Sequence, residues 1–262
     1  METIKLWGNT PGMCEETPVL EYYKAEEKKS KGTVIICPGG AYVGRAPHEG
    51  KGYAEFFNSI GIDAFVLEYR VSPHRFPLEL LDARRAIRWV RFHAKEYGID
   101  PNKIAIMGSS AGGHLAALVS TYRQEIEFEG IDEIDKTDYI PNFQILAYPV
   151  IAISNFKVGH IDSALNLSGR ENAKMIPELD PVLIADKSTP EAFIWHTSND
   201  SGVNVCNSLK YAEKLRALNK QFEMHIFPDG PHGIGLAPDY PHVSQWVELL
   251  KNWLIFKNYF TV

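Results

Sequence analysis

The sequence predicts an α/β domain: a mostly parallel sheet with helices on both faces. Three observations lead there. Six short runs are mostly apolar throughout instead of alternating, as strands covered on both sides are. Segments of helical periodicity lie between the runs, and repeated strand–helix units imply parallel strands. The length, 262 residues, suits one large domain, 1–262, although two small ones would also fit. A domain of that size can bury roughly three-quarters of its unfolded surface.

The elements follow in order. Ile4-Lys5-Leu6-Trp7 and Val19-Leu20-Glu21-Tyr22-Tyr23 read as antiparallel edge strands. The six apolar runs are Thr33-Val34-Ile35-Ile36-Cys37, Ala64-Phe65-Val66-Leu67, Ile104-Ala105-Ile106-Met107, Phe143-Gln144-Ile145-Leu146-Ala147, Ala192-Phe193-Ile194-Trp195 and Phe222-Glu223-Met224-His225-Ile226-Phe227. Leu80, Ala83, Ile87, Val90, Ala94 and Tyr97 fall on one helical face. Arg84, Arg85, Arg88, Arg91 and Lys95 occupy the other faces. A solvated helix surface accounts for them better than a nucleic-acid site. Val243, Trp246, Val247, Leu250, Trp253 and Leu254 mark a final amphipathic helix. Between about 151 and 189 the periodicity weakens, and Gly159, Gly169, Pro177 and Pro181 accumulate. That stretch reads as a loosely structured insertion over the active-site end of the sheet. Its Asn166-Leu167-Ser168 has the form of a glycosylation sequon, but no signal peptide accompanies it.

Composition narrows the function classes. Hydrophobic residues at 45% and charged residues at 23% suit a soluble globular protein. A formal net charge of −6 argues against a nucleic-acid partner. Cys14, Cys37 and Cys206 are odd in number and lack CxxC spacing. That pattern disfavours a disulfide framework or a cysteine zinc site. Cys37 reads as a small buried hydrophobe. Met1-Glu2-Thr3-Ile4-Lys5 lacks the basic and apolar regions of a signal peptide. No apolar stretch approaches the roughly 20 residues of a membrane helix. The expected location is cytoplasmic, and the sequence leaves a homo-oligomer open.

The chemistry is carried by Gly108-Ser109-Ser110-Ala111-Gly112, the single G-x-S-x-G of the chain. It follows the run ending at Met107 and opens a helical segment, Gly113-His114-Leu115-Ala116-Ala117-Leu118-Val119. A strand–elbow–helix turn holds its nucleophile in a strained conformation and needs small flanking residues. The register selects Ser110. A bare glycine turn is the plainer alternative. A phosphate loop would need a P-loop Lys or G-x-G-x-x-G spacing, and neither is present.

A serine hydroxyl needs a base, and the base needs an orienting carboxylate. The expected chain order is Ser, then Asp or Glu, then His after the last strand. His232, in Pro228-Asp229-Gly230-Pro231-His232-Gly233, is the candidate base. His242 reads as a surface residue, and His114 is directed by its helix. Asp200, in the loop after Trp195, is the candidate acid, while Asp229 reads as turn chemistry. Acyl transfer also requires N–H donors for the oxyanion, each worth roughly 3 kcal/mol. Ala111, directly after the nucleophile, supplies one. The loop Pro38-Gly39-Gly40-Ala41-Tyr42 offers Gly40 and Ala41 as the other candidates. The reaction implies no metal or organic cofactor.

Together these motifs resemble the α/β-hydrolase superfamily, and within it the acetylxylan-esterase-like and related short-chain carbohydrate esterases. The likeness runs from about Gly32 to the C-terminus. It also includes His48-Glu49-Gly50, Glu68-Tyr69-Arg70, Asp82-Ala83-Arg84-Arg85-Ala86 and Trp195-His196-Thr197. The resemblance implies an α/β-hydrolase fold, Ser110, Asp200 and His232 as the catalytic set, and an acetylated sugar as the small-molecule ester substrate. It also implies a structural role for Tyr69-Arg70 with Asp82, as a charged tie between loop and helix. Two departures stand out: Ala41 replaces a third loop glycine, and Thr197 stands where the aspartate loop often has glycine. For Glu49 the expected role is to cap the helix that begins beside it. The competing readings are a general short-chain carboxylesterase, a serine peptidase and a catalytically silent sugar-binding relative.

Overall fold

The computed structural model describes residues 1–12, 17–129 and 131–259, so Cys14 lies outside the described residues. Eight strands form one sheet: β1 (Glu2–Lys5), β2 (Val19–Tyr23), β3 (Thr33–Cys37), β4 (Asp63–Glu68), β5 (Ile104–Ser109), β6 (Phe143–Ala147), β7 (Glu191–Thr197) and β8 (Phe222–Phe227). Their order is β1-β2-β4-β3-β5-β6-β7-β8. β1 pairs with β2, and β2 with β4, antiparallel at one edge, and every other pairing is parallel. The helices are α1 (Pro47–Ser59), α2 (Leu78–Phe92), α3 (Ser110–Thr121), α4 (Ile161–Ser168), α5 (Pro181–Ile184), α6 (Cys206–Ala217) and α7 (Trp246–Phe256). Among the described residues no helix is long and apolar enough to cross a membrane.

Neighbouring strand residues serve opposite faces, which is why the runs are apolar without alternation. Val34 and Ile36 pack with Tyr53, Phe57, Trp246 and Leu250 from α1 and α7. Ile35 and Cys37 pack on the other side with Leu80, Ile87, Leu115, Tyr211 and Leu215 from α2, α3 and α6. Residues 151–189 hold α4, α5 and a 3₁₀ segment, Ala173–Leu179.

Several expectations are corrected. The first strand is Glu2–Lys5, not Ile4 to Trp7. Leu6 and Trp7 leave the sheet to bury in the core, and Trp7 Nε1 donates to Asp82 Oδ1 at 3.1 Å. α2 ends at Phe92, and Ala94 and Tyr97 belong to the turns that follow it. The final helix starts at Trp246, after a run of turns that contains Val243.

The arginines of α2 are not a solvated face. Arg84 and Arg85 are 4% and 2% exposed. Arg85 pairs with Asp132 at 2.6 Å and Asp135 at 2.8 Å. Arg84, Arg88 and Arg91 donate to carbonyls of Tyr122, Thr137 and Ile140. The guanidiniums bind the loops at 122–140 to the helix, because each can satisfy several backbone acceptors at once.

Glu79, in the first turn of α2, is fully buried, and neither carboxylate oxygen has a hydrogen-bond partner among the described residues. Burial pushes its pKa up from 4.5 to about 8. With the folded value above the unfolded one, this group favours the fold fully below pH 4.5 and loses that contribution as pH rises through about 8. Glu79→Gln cannot ionise. Its stability relative to wild type is therefore expected to rise by about 4 kcal/mol between pH 5 and pH 9, read by urea denaturation at both. An identical difference at the two pH values would show that the fold does not raise the Glu79 pKa.

Candidate active site

In-register parallel pairing aligns the carboxyl ends of the central strands: Cys37 with Gly108, Ser109 with Ala147, and Thr197 with Phe227. The loops that follow therefore emerge on one rim, where open α/β sheets bind ligands. They carry all six residues singled out above.

Ser110 turns the chain from β5 into α3 with φ 52°, a left-handed conformation costly for a non-glycine residue. The turn is tight. A Cβ on Gly112 would sit 2.0 Å from the Cys37 carbonyl oxygen, so only glycine lets α3 approach β3 this closely. That approach sets the glycine loop beside Ser110.

The structure brings Ser110, His232 and Asp200 into one hydrogen-bonded line. Ser110 Oγ lies 2.8 Å from His232 Nε2, and His232 Nδ1 lies 2.7 Å from Asp200 Oδ2. A carboxylate only accepts, so Nδ1 carries the proton and the neutral ring presents the Nε2 lone pair to the serine. Asp200 Oδ1 accepts from Gly202 N and Val203 N, both at 2.8 Å. His196, fully buried, reaches Asp200 Oδ2 from the other side at 3.3 Å. Its Nε2 also donates to the Val203 carbonyl, so its Nδ1 accepts from Ser208 Oγ. Burial alone would raise the Asp200 pKa. The hydrogen bonds from His196, His232 and Val203 outweigh it and hold the carboxyl well below the ordinary range. His196 was legible only as part of a motif; nothing in its spacing marks it as a second donor to Asp200.

The rejected candidates lie elsewhere. Asp229 accepts from Asn199, and His242 is exposed. His114 is fully buried, donating from Nε2 to the Leu179 carbonyl at 2.9 Å and accepting from Tyr42 Oη at 2.7 Å. Burial pushes its pKa down to about 4, so it stays neutral near pH 7.

The glycine loop is strained and braced. Gly40 has φ 142°, and a Cβ there would meet the Gly44 carbonyl oxygen at 2.2 Å. Ala41 and Tyr42 both adopt left-handed angles, 52° and 60°. Tyr42 is anchored by His114, and the Ala41 carbonyl accepts from Asn166 Nδ2 at 2.9 Å. The N–H groups of Gly40 and Ala41 have no partner among the described residues. Ala111 is in the first turn of α3, where helix N–H groups lack intrahelical acceptors.

Glu49 departs from its expected capping role. It lies in the first turn of α1, but no side-chain cap is made there. Its Oε2 accepts from Gly39 N at 2.7 Å and its Oε1 from Tyr148 Oη at 2.6 Å. The carboxylate thus serves the glycine loop. The structural tie expected of Arg70 and Asp82 is present: both side chains are fully buried, with Arg70 Nε and Nη2 on the two Asp82 oxygens at 2.8 and 2.7 Å.

Known proteins share this arrangement of elements. An acetyl ester-xyloside bifunctional hydrolase from Caldicellulosiruptor lactoaceticus superposes with a TM-score of 0.93 at 39% identity, covering 99% of this chain and 97% of that one. An acetylxylan esterase of Xylanibacter ruminicola is 32% identical over 87% of this chain and 46% of its own length. An endo-1,4-beta-xylanase B of Butyrivibrio fibrisolvens is 34% identical over 85% of this chain and 35% of its own length. The chain thus spans half or less of the length of those two relatives. The BD-FAE family model matches residues 20–215. The chain belongs to the BD-FAE family and has the α/β-hydrolase fold.

Proposed function

We propose that this protein is a serine esterase that removes short acyl groups, acetyl above all, from sugars such as xylo-oligosaccharides. The observation that carries the reading is the unbroken line from Ser110 Oγ through His232 to Asp200 at a strained elbow. His232 takes the serine proton as Ser110 attacks the ester carbonyl, and Asp200 stabilises the resulting imidazolium. The N–H of Ala111, with those of Gly40 and Ala41, binds the oxyanion. His232 then protonates the departing alcohol. Water attacks the acyl-enzyme with His232 again as base, releasing acid and free serine. The preference for acetylated sugars is supported by the acetyl ester-xyloside hydrolase and the acetylxylan esterase among the similar proteins.

A substrate panel tests it: p-nitrophenyl acetate, butyrate and octanoate, acetylated xylo-oligosaccharides, and aminoacyl anilides. Acetate release from the oligosaccharide, with p-nitrophenyl acetate turned over faster than octanoate, is the expected result. Ester cleavage without oligosaccharide deacetylation would favour a general short-chain carboxylesterase. Cleavage of anilides alone would mean a peptidase.

A further inference from the structure

Glu49 lies outside the triad, yet it is the end point of a buried hydrogen-bond chain that reaches the glycine loop, the elbow and the loop after His232. The directions of the bonds follow from one constraint. As a carboxylate, Glu49 can only accept, so the Tyr148 hydroxyl proton points to Glu49 Oε1. The Tyr53–Tyr148 contact of 3.1 Å must then run from Tyr53 to Tyr148. With its proton so used, Tyr53 can only accept from Ser109 Oγ, at 2.9 Å. Gly235 N also donates to Tyr148 Oη, at 2.9 Å. On its other oxygen Glu49 holds Gly39 N.

Each donor adjoins a working part. Ser109 precedes the nucleophile, and Gly39 precedes the oxyanion donors. Gly235 lies three residues past His232, whose ring meets the Tyr148 ring edge-on at 5.1 Å. Glu49, Tyr53, Tyr148 and Ser109 are all at most 2% exposed, so no water competes for these bonds. The Gly39 contact is also steric: a Cβ on Gly39 would stand 2.5 Å from Glu49 Oε2.

We infer that Glu49 is a positioning residue for acyl transfer, a single buried carboxylate that holds the Gly39-Gly40 loop, the Ser110 elbow and the His232 loop in mutual register. The inference rests on the esterase reading above. In Glu49→Gln the amide NH2 must face either Gly39 N–H, which loses that bond, or Tyr148 Oη, which can accept only if the hydroxyl chain reverses and leaves the Ser109 hydroxyl without its acceptor. A displaced oxyanion donor costs transition-state binding but not substrate binding. The expected result is a fall in kcat on p-nitrophenyl acetate of about 100-fold with KM kept within about threefold. The affinity for a trifluoromethyl ketone, which forms a tetrahedral adduct at Ser110, should weaken by the same factor as kcat. A folded Glu49→Gln protein, melting within about 3 °C of wild type, that keeps wild-type kcat and ketone affinity would overturn the inference. So would a loss confined to KM.

If Glu49→Gln does not fold, Tyr148→Phe decides. It leaves the Gly39–Glu49 bond and cuts the branch to Ser109 and Gly235, with an expected kcat loss of about tenfold. A wild-type rate would sink the idea. The rate at which a fluorophosphonate labels Ser110 separates this inference from the esterase reading. If wild type labels fast but cleaves no ester, the esterase reading falls, and slower labelling of Glu49→Gln still upholds the positioning role.

Discussion

Ser110→Ala is expected to lower turnover of p-nitrophenyl acetate by about a million-fold. In the proposed mechanism the hydroxyl is the atom that bonds to the acyl group, and nothing else in the line can replace it. In that mechanism His232 and Asp200 raise the reactivity of the oxygen and contribute almost nothing without it. The double variant Ser110→Ala/His232→Ala should therefore lose no more than the single one, since members of a triad act as a unit. Residual activity of roughly 10³ over the uncatalysed rate should persist from the oxyanion donors. Steady-state rates with matched melting temperatures provide the measurement. A loss below about 100-fold would assign the nucleophile elsewhere.

The largest stability effect is expected at Asp82. Its carboxylate is the bidentate partner of Arg70, and both side chains are fully buried. Asp82 Oδ2 also accepts from Arg70 N at 3.0 Å, and Oδ1 from Trp7 Nε1 at 3.1 Å. Asp82→Ala removes the bidentate carboxylate from a guanidinium buried in the core, at a cost of about 3–5 kcal/mol. Replacing both members together, Arg70→Met with Asp82→Leu, should recover most of the loss. Urea denaturation of the three proteins checks this. A single variant within about 1 kcal/mol of wild type would mean that Arg70 has other adequate acceptors. The damage should also reach catalysis, because Tyr69, next to Arg70, donates its hydroxyl to the Pro38 carbonyl under the glycine loop at 2.6 Å.

Much of the framework was legible because it follows local rules. The runs at 33–37, 143–147 and 222–227 coincide with β3, β6 and β8 to the residue. β3 and β6, buried along their whole length, carry the mostly apolar signature of strands covered on both faces. Boundaries were misread where a side chain had a tertiary use, as when Trp7 left the first strand for Asp82.

The amino-acid sequence by itself determined the mostly parallel sheet, the elbow at Ser110, and the order in which Asp200 and His232 follow. Each depends on periodicity, turn chemistry or chain order, which act over a few residues. Only the tertiary structure decided what the buried polar side chains do. Glu49 and Tyr148 are 99 positions apart, Tyr148 and Gly235 87, and Arg85 and Asp135 50. No local pattern encodes such pairings. They arise because a buried polar group must find a partner wherever the packed chain supplies one. For that reason the carboxylate read as a helix cap holds the glycine loop, and the arginines read as a wet surface lie under the loops at 122–140.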